Sequence, residues 1–254
     1  MKYLIITKRQ IITVLSICLG LALAVVGTVR IFAANGRVLP IYCVDTNEKK
    51  IAISFDAAWG NDDTETLISI LDEYDVPATF FVVGEWVDKY PESVKALSDA
   101  GHQVQNHSNT HPYFTKLSAD KVKDEILACN EKIESITGTA PNLIRVPYGD
   151  YNNSVIETVN NMNMYAIQWN VDSLDWQDTA TAESIAKRVI SKACPGSIIL
   201  CHNDADHTPE ALPTILKTLK DKGYEFVFIN DLIMKGNYEI DHAGKQCKIK
   251  SDGN

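Results

Sequence analysis

Apolar residues recur in two alternating patterns from about residue 49 onward. Short runs rich in β-branched and aromatic residues alternate with stretches in which apolar residues return every three or four positions. The runs predict β-strands and the stretches predict amphipathic helices, an order typical of β-α units around a parallel sheet. The strands predicted in this way are Lys50–Phe55, Ala78–Val83, Gln103–Asn106, Leu143–Arg145, Ala166–Asn170, Ser197–Leu200 and Glu225–Ile229.

Capping residues place four of the helices between these strands. They are predicted after Asp62 and Asp63, from Ser118 to Gly138, from Thr181, and from Thr208 or a start nearer Pro213. No glycine-rich phosphate loop follows a strand. The pattern therefore predicts an α/β fold of the (β/α) barrel type, possibly incomplete, rather than an open doubly wound sheet.

The chain begins with a different kind of sequence. Residues 11–29 are 19 consecutive positions without a charge, close to the ~20 residues that a helix needs to cross a bilayer. Because three basic residues and no acid precede this run, we predict a transmembrane anchor at residues 11–30 and a cytoplasmic segment at residues 1–10. The rest would face outward from the cell membrane. The alternative is a secreted protein whose signal is cleaved near Ala34.

The remaining residues divide into three parts. Residues 31–48 are predicted to be a linker and N-terminal extension, and residues 49–234 a single domain, because no repeat or low-complexity linker interrupts them. We expect this domain to be monomeric. Residues 235–254 have little periodicity, which is compatible with a docked tail or with disorder.

Composition excludes several classes of protein. The chain has 24 Lys and Arg against 33 Asp and Glu, a net charge of -9, and its basic residues are dispersed, so we expect no nucleic-acid partner. Its six cysteines are too few and too scattered for a disulfide scaffold, and the absence of a C-x-x-C pair argues against a zinc ribbon or a thioredoxin-like dithiol. A bridge between Cys43 and Cys247 remains one alternative to free thiols.

Several chemically capable side chains follow the predicted strands, where (β/α) barrels place their chemistry. Two histidines four residues apart can share a metal, an aspartate can act as a base, and a histidine beside a carboxylate can carry a proton. Together these groups predict metal-assisted hydrolysis. The residues concerned are Asp56, His107, His111, Arg145, Asp175 and His202.

Five segments in these positions resemble the ordered motifs of the polysaccharide deacetylases, the NodB-homology or carbohydrate esterase family 4 group. They are FDAAWG from Phe55, HSNTH from His107, RVPYG from Arg145, DSLDW from Asp172, and Leu200-Cys201-His202. The resemblance covers about residues 49–232. It implies a distorted (β/α) barrel and metal-dependent removal of N-acetyl or O-acetyl groups from glycans.

The resemblance also implies a role for each matching residue. His107 and His111 correspond to metal ligands, Asp56 to the general base and Arg145 to the residue that orients it. His202 corresponds to the general acid held by Asp175. The remaining positions would bind substrate: Tyr148 through its backbone N–H at the oxyanion, and Trp176 and Leu200 as walls of the acetyl pocket.

One position departs from the family pattern. The first motif usually contains a second Asp that completes the metal site, and here that position is Ala57. Asp56 could bind the metal itself, or one of four other carboxylates could reach it: Asp62, Asp63, Asp172 or Asp204. We expect zinc as the divalent metal, with cobalt, nickel and manganese as alternatives.

An outward-facing domain of this kind is expected to act on peptidoglycan, in a branch of the family associated with sporulation. Chitin oligomers and acetylated xylan are alternative substrates. A second hypothesis, based on Ala57, is a barrel that binds glycan without catalysis. A metal-dependent amidohydrolase acting on small molecules is disfavoured, because no His-x-His pair ends the first strand.

Overall fold

Parallel strands and their covering helices make up most of the structure. The computed structural model describes residues 36–249. Its strands in chain order are β1 (Cys43–Val44), β2 (Lys50–Ala57), β3 (Ala78–Val82), β4 (Gln103–Asn106), β5 (Leu143–Ile144), β6 (Tyr165–Ala166), β7 (Val171–Asp172), β8 (Ile198–His202), β9 (Glu225–Phe226), β10 (Tyr238–Ile240) and β11 (Lys245–Lys248).

Helices connect most of these strands. The α-helices are α1 (Thr64–Glu73), α2 (Gly84–Lys89), α3 (Pro91–Asp99), α4 (Ala119–Thr137), α5 (Asn153–Asn161), α6 (Ala182–Lys192), α7 (Thr208–Asp221) and α8 (Ile229–Leu232). Two short 3₁₀ turns follow β4 and β5, at Phe114–Lys116 and Pro147–Gly149.

The main sheet is a curled, incomplete barrel. Its strands run in the order β6-β5-β4-β3-β2-β8-β7, with β9 paired to the start of β2, and every pairing is parallel. The end strands β6 and β7 do not pair with each other within residues 36–249. This confirms the predicted barrel and its incompleteness, and it brings the carboxyl ends of the strands to one edge.

Strand β2 shows why the sheet has two apolar faces. All its residues after Lys50 are buried. Ile51, Ile53 and Phe55 pack against the outer helices, whereas Ala52 belongs to a separate inner cluster. Because successive side chains of a strand point to opposite faces, a strand covered on both sides reads as one continuous apolar run.

Two helix boundaries follow the predicted capping chemistry. The Ser118 hydroxyl accepts the backbone N–H of Lys121, and Gly138 ends α4 in the left-handed region with φ of 70°. Thr181 forms a capping box with Ser184 at the start of α6.

The start of α1 differs from expectation in its capping, whereas the start of α7 agrees with one of the two predicted positions. Asp63 occupies the N-cap position of α1, but its carboxylate accepts the Asp204 amide rather than capping the helix. Helix α7 begins at Thr208 and keeps Pro213 inside it. Tertiary contact with the loop after β8 therefore outweighs the local capping option at Asp63.

The predicted strand Ala166–Asn170 was wrong, because this stretch divides into two elements. Strand β6 ends at Ala166, and the chain then crosses to β7 at the other end of the sheet. During the crossing, Ile167 donates to Ile144 and Gln168 donates to Ile41. The backbone of Ile167 and Gln168 therefore forms strand-like hydrogen bonds during the crossing, although these residues belong to neither β6 nor β7.

The tail is docked as far as Ile249. Strands β10 and β11 form an antiparallel hairpin, and β11 pairs in parallel with β1. Cys43 and Cys247 are free thiols, so the possible bridge between them is not formed.

The predicted anchor at residues 11–30 and the segment before it lie outside the described residues. No helix within residues 36–249 has the length and apolar character required to span a bilayer.

Candidate active site

A pocket of about 420 Å³ lies at the carboxyl edge of the sheet. Asp56 and His202 lie beside each other in its lining because they are register partners on the neighbouring strands β2 and β8. His107 follows β4 directly, and Arg145 follows β5. Its lining includes seven of the nine predicted site residues: Asp56, His107, His111, Tyr148, Trp176, Leu200 and His202. The other two, Arg145 and Asp175, contact lining residues from behind.

Arg145 holds the carboxylate of Asp56. Its Nη1 donates to Asp56 Oδ1 at 2.6 Å, and its Nη2 donates to Ser54 Oγ at 2.9 Å. The guanidinium is fully buried and lies 4.2 Å from the centroid of the Phe81 ring. Burial acts to raise the pKa of Asp56, but Arg145 and His107 outweigh it and lower that pKa. Asp56 is therefore an ionised base at neutral pH.

The two histidines present ring nitrogens to each other. His107 Nδ1 lies 2.7 Å from the Arg145 carbonyl, an arrangement in which Nδ1–H donates and Nε2 keeps its lone pair. His107 Nε2 lies 3.2 Å from His111 Nε2 and 3.5 Å from Asp56 Oδ2. Burial lowers the pKa of His107, and burial together with His107 lowers the pKa of His111 to about 4. Both rings are thus neutral at pH 7, the form that binds a metal.

The histidine pair fits a divalent metal, but a third protein ligand is not in place. Two nitrogens bound tetrahedrally to zinc are separated by ~3.3 Å, close to the 3.2 Å between the two Nε2 atoms. Residues 36–249 contain no group of three potential ligands placed to hold one ion. Asp56 is engaged by Arg145, and Ala57 packs in the outer apolar cluster.

The other carboxylates considered as ligands lie in different surroundings. The Asp63 carboxylate accepts a hydrogen bond from the backbone N–H of Asp204. The Asp204 carboxylate in turn accepts one from the backbone N–H of Gly60. Asp172 does line the pocket, where it accepts the indole N–H of Trp169 and the amide of Leu174.

His202 is held by Asp175 as expected. Its Nδ1 lies 2.7 Å from Asp175 Oδ1, and its backbone N–H donates to Asp175 Oδ2. Thr208 Oγ1 donates to the same Oδ2 at 2.7 Å. Burial acts to lower the pKa of His202, but Asp175 outweighs it and the pKa is raised. His202 can therefore carry a proton and present Nε2 to the pocket.

Aromatic side chains form the mouth of the pocket. Trp59, Tyr148 and Trp176 are each more than half exposed. Tyr148 has φ of 59° within the Pro-Tyr-Gly turn and stacks on Tyr113 with ring centroids 4.2 Å apart. Lys116 covers the ring of Tyr113 at 4.4 Å. Positive φ recurs on the neighbouring site loops, which is typical of functional sites; the residues are Ser108, His111, Leu174 and Asp204.

Sequence reasoning did not identify four contributors to this site. Ser54 and Thr208 act through the tertiary contacts already described, and no local pattern signals them. Trp59 and Tyr113 could have been found, because each is an aromatic residue in a loop that carries a site motif.

Comparison with known proteins places these features in one family. The sequence profile "Polysaccharide deacetylase" matches residues 44–167. Peptidoglycan-N-acetylmuramic acid deacetylase PdaA of Bacillus subtilis is 34% identical over 197 residues, which cover 76% of this chain and 75% of PdaA. YlxY, an uncharacterized protein of the same species, is 34% identical over 194 residues, covering 76% of this chain and 60% of YlxY.

A solved structure shows the same fold. BA3943 of Bacillus anthracis, a CE4 family pseudoenzyme, superimposes with a TM-score of 0.73 at 35% identity, covering 76% of this chain and 68% of that one. A mutant of BA3943 with restored enzymatic activity superimposes equally well. Both active and inactive proteins are therefore similar to this chain.

Proposed function

Because this chain belongs to the polysaccharide deacetylase family, the NodB-homology or carbohydrate esterase family 4 group of hydrolases, we propose that it removes N-acetyl groups from peptidoglycan. The observation that carries the proposal is the placement of an ionised aspartate beside a proton-carrying histidine in the lining of one pocket. Asp56 and His202 are register partners, each with its own buried partner, Arg145 and Asp175.

The two groups are suited to the two proton transfers of amide hydrolysis. Asp56 can accept a proton from the attacking water because its lowered pKa keeps the carboxylate ionised at neutral pH. His202 can deliver a proton to the departing amine because its pKa is raised. Asp175 stays on Nδ1 throughout, which keeps Nε2 directed at the pocket. An amine leaves far more easily once protonated, so His202 would supply the proton that amide cleavage requires.

The oxyanion needs its own donors. Within the described residues, the Tyr148 amide donates no hydrogen bond to the protein, and the positive φ of Tyr148 is held by the stack on Tyr113. We assign this N–H to the oxyanion. His107 and His111 would hold a divalent metal, zinc first, which supplies Lewis-acid polarisation when bound.

The proposed substrate is peptidoglycan because PdaA and other similar proteins are named as deacetylases of that polymer. Exposed indoles at the mouth support a sugar substrate, since apolar sugar faces stack on aromatic rings. A membrane anchor at residues 11–30 would place the pocket outside the cell. A role in sporulation remains part of this proposal.

Glycan binding without catalysis is the second candidate function. It is favoured by Ala57, which leaves the metal site without a family ligand, and by the similarity to the pseudoenzyme BA3943. Under this alternative the pocket binds acetylated sugar but releases no acetate.

Acetate release separates the two functions. Full-length protein would be chelator-treated, reloaded with zinc, and incubated with N-acetylated peptidoglycan strands. The deacetylase proposal expects zinc-dependent acetate, lost in His107→Ala and retained in His242→Ala, whose histidine is exposed in the tail. If the protein binds the peptidoglycan strands but no zinc-loaded sample releases acetate, the second candidate function would be supported instead.

A further inference from the structure

Three cysteines lie around strand β1, outside the lining of the catalytic pocket. They are Cys43 on β1, Cys194 in the loop before β8, and Cys247 on β11. All three are free thiols and at least partly exposed, whereas Cys129 and Cys201 are buried. The proposed deacetylation uses none of them, so their convergence on one short strand needs a separate explanation.

The segment that contains β1 is bonded near both ends of the curled sheet. Ile41 donates to the carbonyl of Ala166 on β6 and accepts the amide of Gln168 in the crossing. Farther along, Val44 donates to the carbonyl of Gly196, just before β8. Because β1 has only two residues, few hydrogen bonds hold it. A covalent link would fix this segment more firmly.

Cys43 and Cys194 both lie beside Ser197. Cys43 and Ser197 are partners in an antiparallel bridge, and the adjacent hydrogen bond comes from the amide of Val44 rather than that of Cys43. They are therefore a non-hydrogen-bonded pair, the closer kind, whose Cα atoms lie ~4.5 Å apart and whose side chains share one face. Cys194 approaches the same side chain, with its Sγ 3.3 Å from Ser197 Oγ.

A tight turn holds Cys194 in this position. The Ser197 amide donates to the Cys194 carbonyl at 3.0 Å, and the Cys194 amide donates to Ser197 Oγ at 3.0 Å. Gly196 in this turn has φ of 80°, and a Cβ there would overlap the Val44 carbonyl. The close approach of β1 to the turn therefore requires glycine, and it brings both thiols to one side chain.

Cys247 is placed less well for a bond to Cys43. On the parallel strands β1 and β11, Cys43 is opposite Lys245, and Cys247 is two positions farther along. A strand spacing of ~4.8 Å and a rise of ~3.3 Å per residue put the Cα atoms of Cys43 and Cys247 ~8 Å apart. Cα atoms more than ~7 Å apart cannot be joined by a disulfide without backbone movement. Cys194 is therefore the better partner for Cys43.

We propose that Cys43 and Cys194 form a disulfide when they meet a disulfide oxidant such as oxidised glutathione. Cys194 is the exposed thiol, so its thiolate attacks one sulfur of the oxidant and releases the other as a thiol. The Cys43 thiolate then attacks the Cys194 sulfur and releases the second thiol. The two cysteines lose two electrons and two protons, and the oxidant takes them up as two thiols.

The surroundings of Cys43 agree with this order of attack. Burial raises the pKa of the Cys43 thiol to about 11; Lys245 opposes the increase and Cys194 adds to it. Cys43 is therefore almost entirely protonated at neutral pH and is a poor first nucleophile. The link does not depend on the proposed deacetylation, although the proposed location outside the cell would supply oxidising conditions.

Peptide mapping of the full-length protein tests the link. The protein would be incubated with oxidised glutathione, alkylated under denaturing conditions, digested without a reductant and analysed by mass spectrometry. We expect a linked pair of peptides that contain Cys43 and Cys194. We also expect the midpoint of thermal unfolding to rise by about 4–16 °C, the range for a disulfide in a domain of this size, and to return after reduction.

Single serine variants separate the candidate partners. Cys194→Ser should lose both the linked peptides and the rise in the midpoint, whereas Cys247→Ser should keep both. Because Cys194 is exposed, its replacement should leave the protein folded. The proposal fails if the oxidised protein links Cys43 to another cysteine, if Cys194 keeps glutathione as a mixed disulfide, or if both thiols remain free for alkylation.

Discussion

Asp56 and Ala57 are neighbours at the end of β2 but lie in different environments. Asp56 lines the catalytic pocket, whereas Ala57 is 1% exposed and packs in the outer apolar cluster. The difference follows from the two-residue period of a strand. A carboxylate at position 57 would therefore begin in apolar surroundings and have to turn toward the histidines.

Replacing Ala57 by Asp should affect metal binding and stability in opposite directions. Without metal, Ala57→Asp should lower the free energy of unfolding by about 1–3 kcal/mol, because it buries a carboxylate. Zinc should recover part of that loss through binding to the folded state. Equilibrium dialysis and urea titration with and without zinc would measure both effects. Ala57→Asn is the uncharged control of similar size, and equal zinc content in the two variants would contradict a role for the missing carboxylate.

Replacing His202 by Gln should reduce amide cleavage by about 100- to 10,000-fold, the range for loss of a general acid or base. Cleavage of an activated acetyl ester should fall much less, because its leaving group needs little protonation. Rates on both substrates would be measured with His242→Gln as control, since His242 is exposed in the tail. Equal losses on amide and ester would exclude the acid role of His202.

Some residues of this site could be predicted from the sequence, and others could not. Asp56, His107 and His202 lie in the ordered motifs, so they could be identified from the sequence. The residues that hold these side chains in position are harder to identify from the sequence. Thr208 contacts Asp175 only because the loop after β8 folds back against the loop after β7, and this approach depends on the whole sheet.

At the scale of elements, the hairpin β10–β11 is the clearest addition to the barrel. Gln246 on β11 is fully buried, and its side chain makes two hydrogen bonds with the backbone of Met234. Oε1 accepts the Met234 amide and Nε2 donates to the Met234 carbonyl. This clamp fixes the hairpin to the segment after α8.

Gln246→Ala should lower the free energy of unfolding by about 1–3 kcal/mol, because both Met234 groups lose their partner. Glu239→Ala, at an exposed position of the same hairpin, should change it by less than about 0.5 kcal/mol. Urea denaturation of both variants would measure the difference. Similar values would indicate that the hairpin contributes no cooperative stability.

Elements with strong periodicity were predicted well, whereas those defined by long-range pairing were not. Helix α4 has caps and four buried residues at helical spacing, so its bounds follow from local sequence. Strands β6 and β7 have two residues each and are joined by a short segment that crosses from one end of the sheet to the other. The sequence of this stretch therefore looks like one continuous strand. The tail likewise gains its strands from pairing with β1, which no local pattern reveals.

At the scale of the whole molecule, buried histidines make the protein sensitive to acid. Burial lowers the pKa values of His102, His107 and His111, the last to about 4. Between an unfolded pKa near 6.5 and these lower values, only the unfolded chain takes up the protons, so stability falls as pH falls. Asp63, whose pKa burial raises to about 6, opposes this trend in the same range.

The free energy of unfolding should therefore depend less on pH between 6.5 and 4 in His111→Gln than in the unmodified protein. Urea titrations at several pH values, with a chelator present, would give both slopes. His242→Gln is the control because its histidine is exposed in both states. A slope in His111→Gln equal to that of the control would show that His111 titrates normally in the folded protein.

The central position of β2 also sets the order in which the molecule can fold. Ser54 on β2 bonds to Ile199 on β8, 145 positions later in the chain. Closing so long a loop is entropically slow, and proteins dominated by such distant contacts fold slowly. Until the last third of the chain is available for pairing, β2 keeps one open edge that can pair wrongly with other chains. A chaperone that shields this edge until β8 arrives would increase the yield of folded protein.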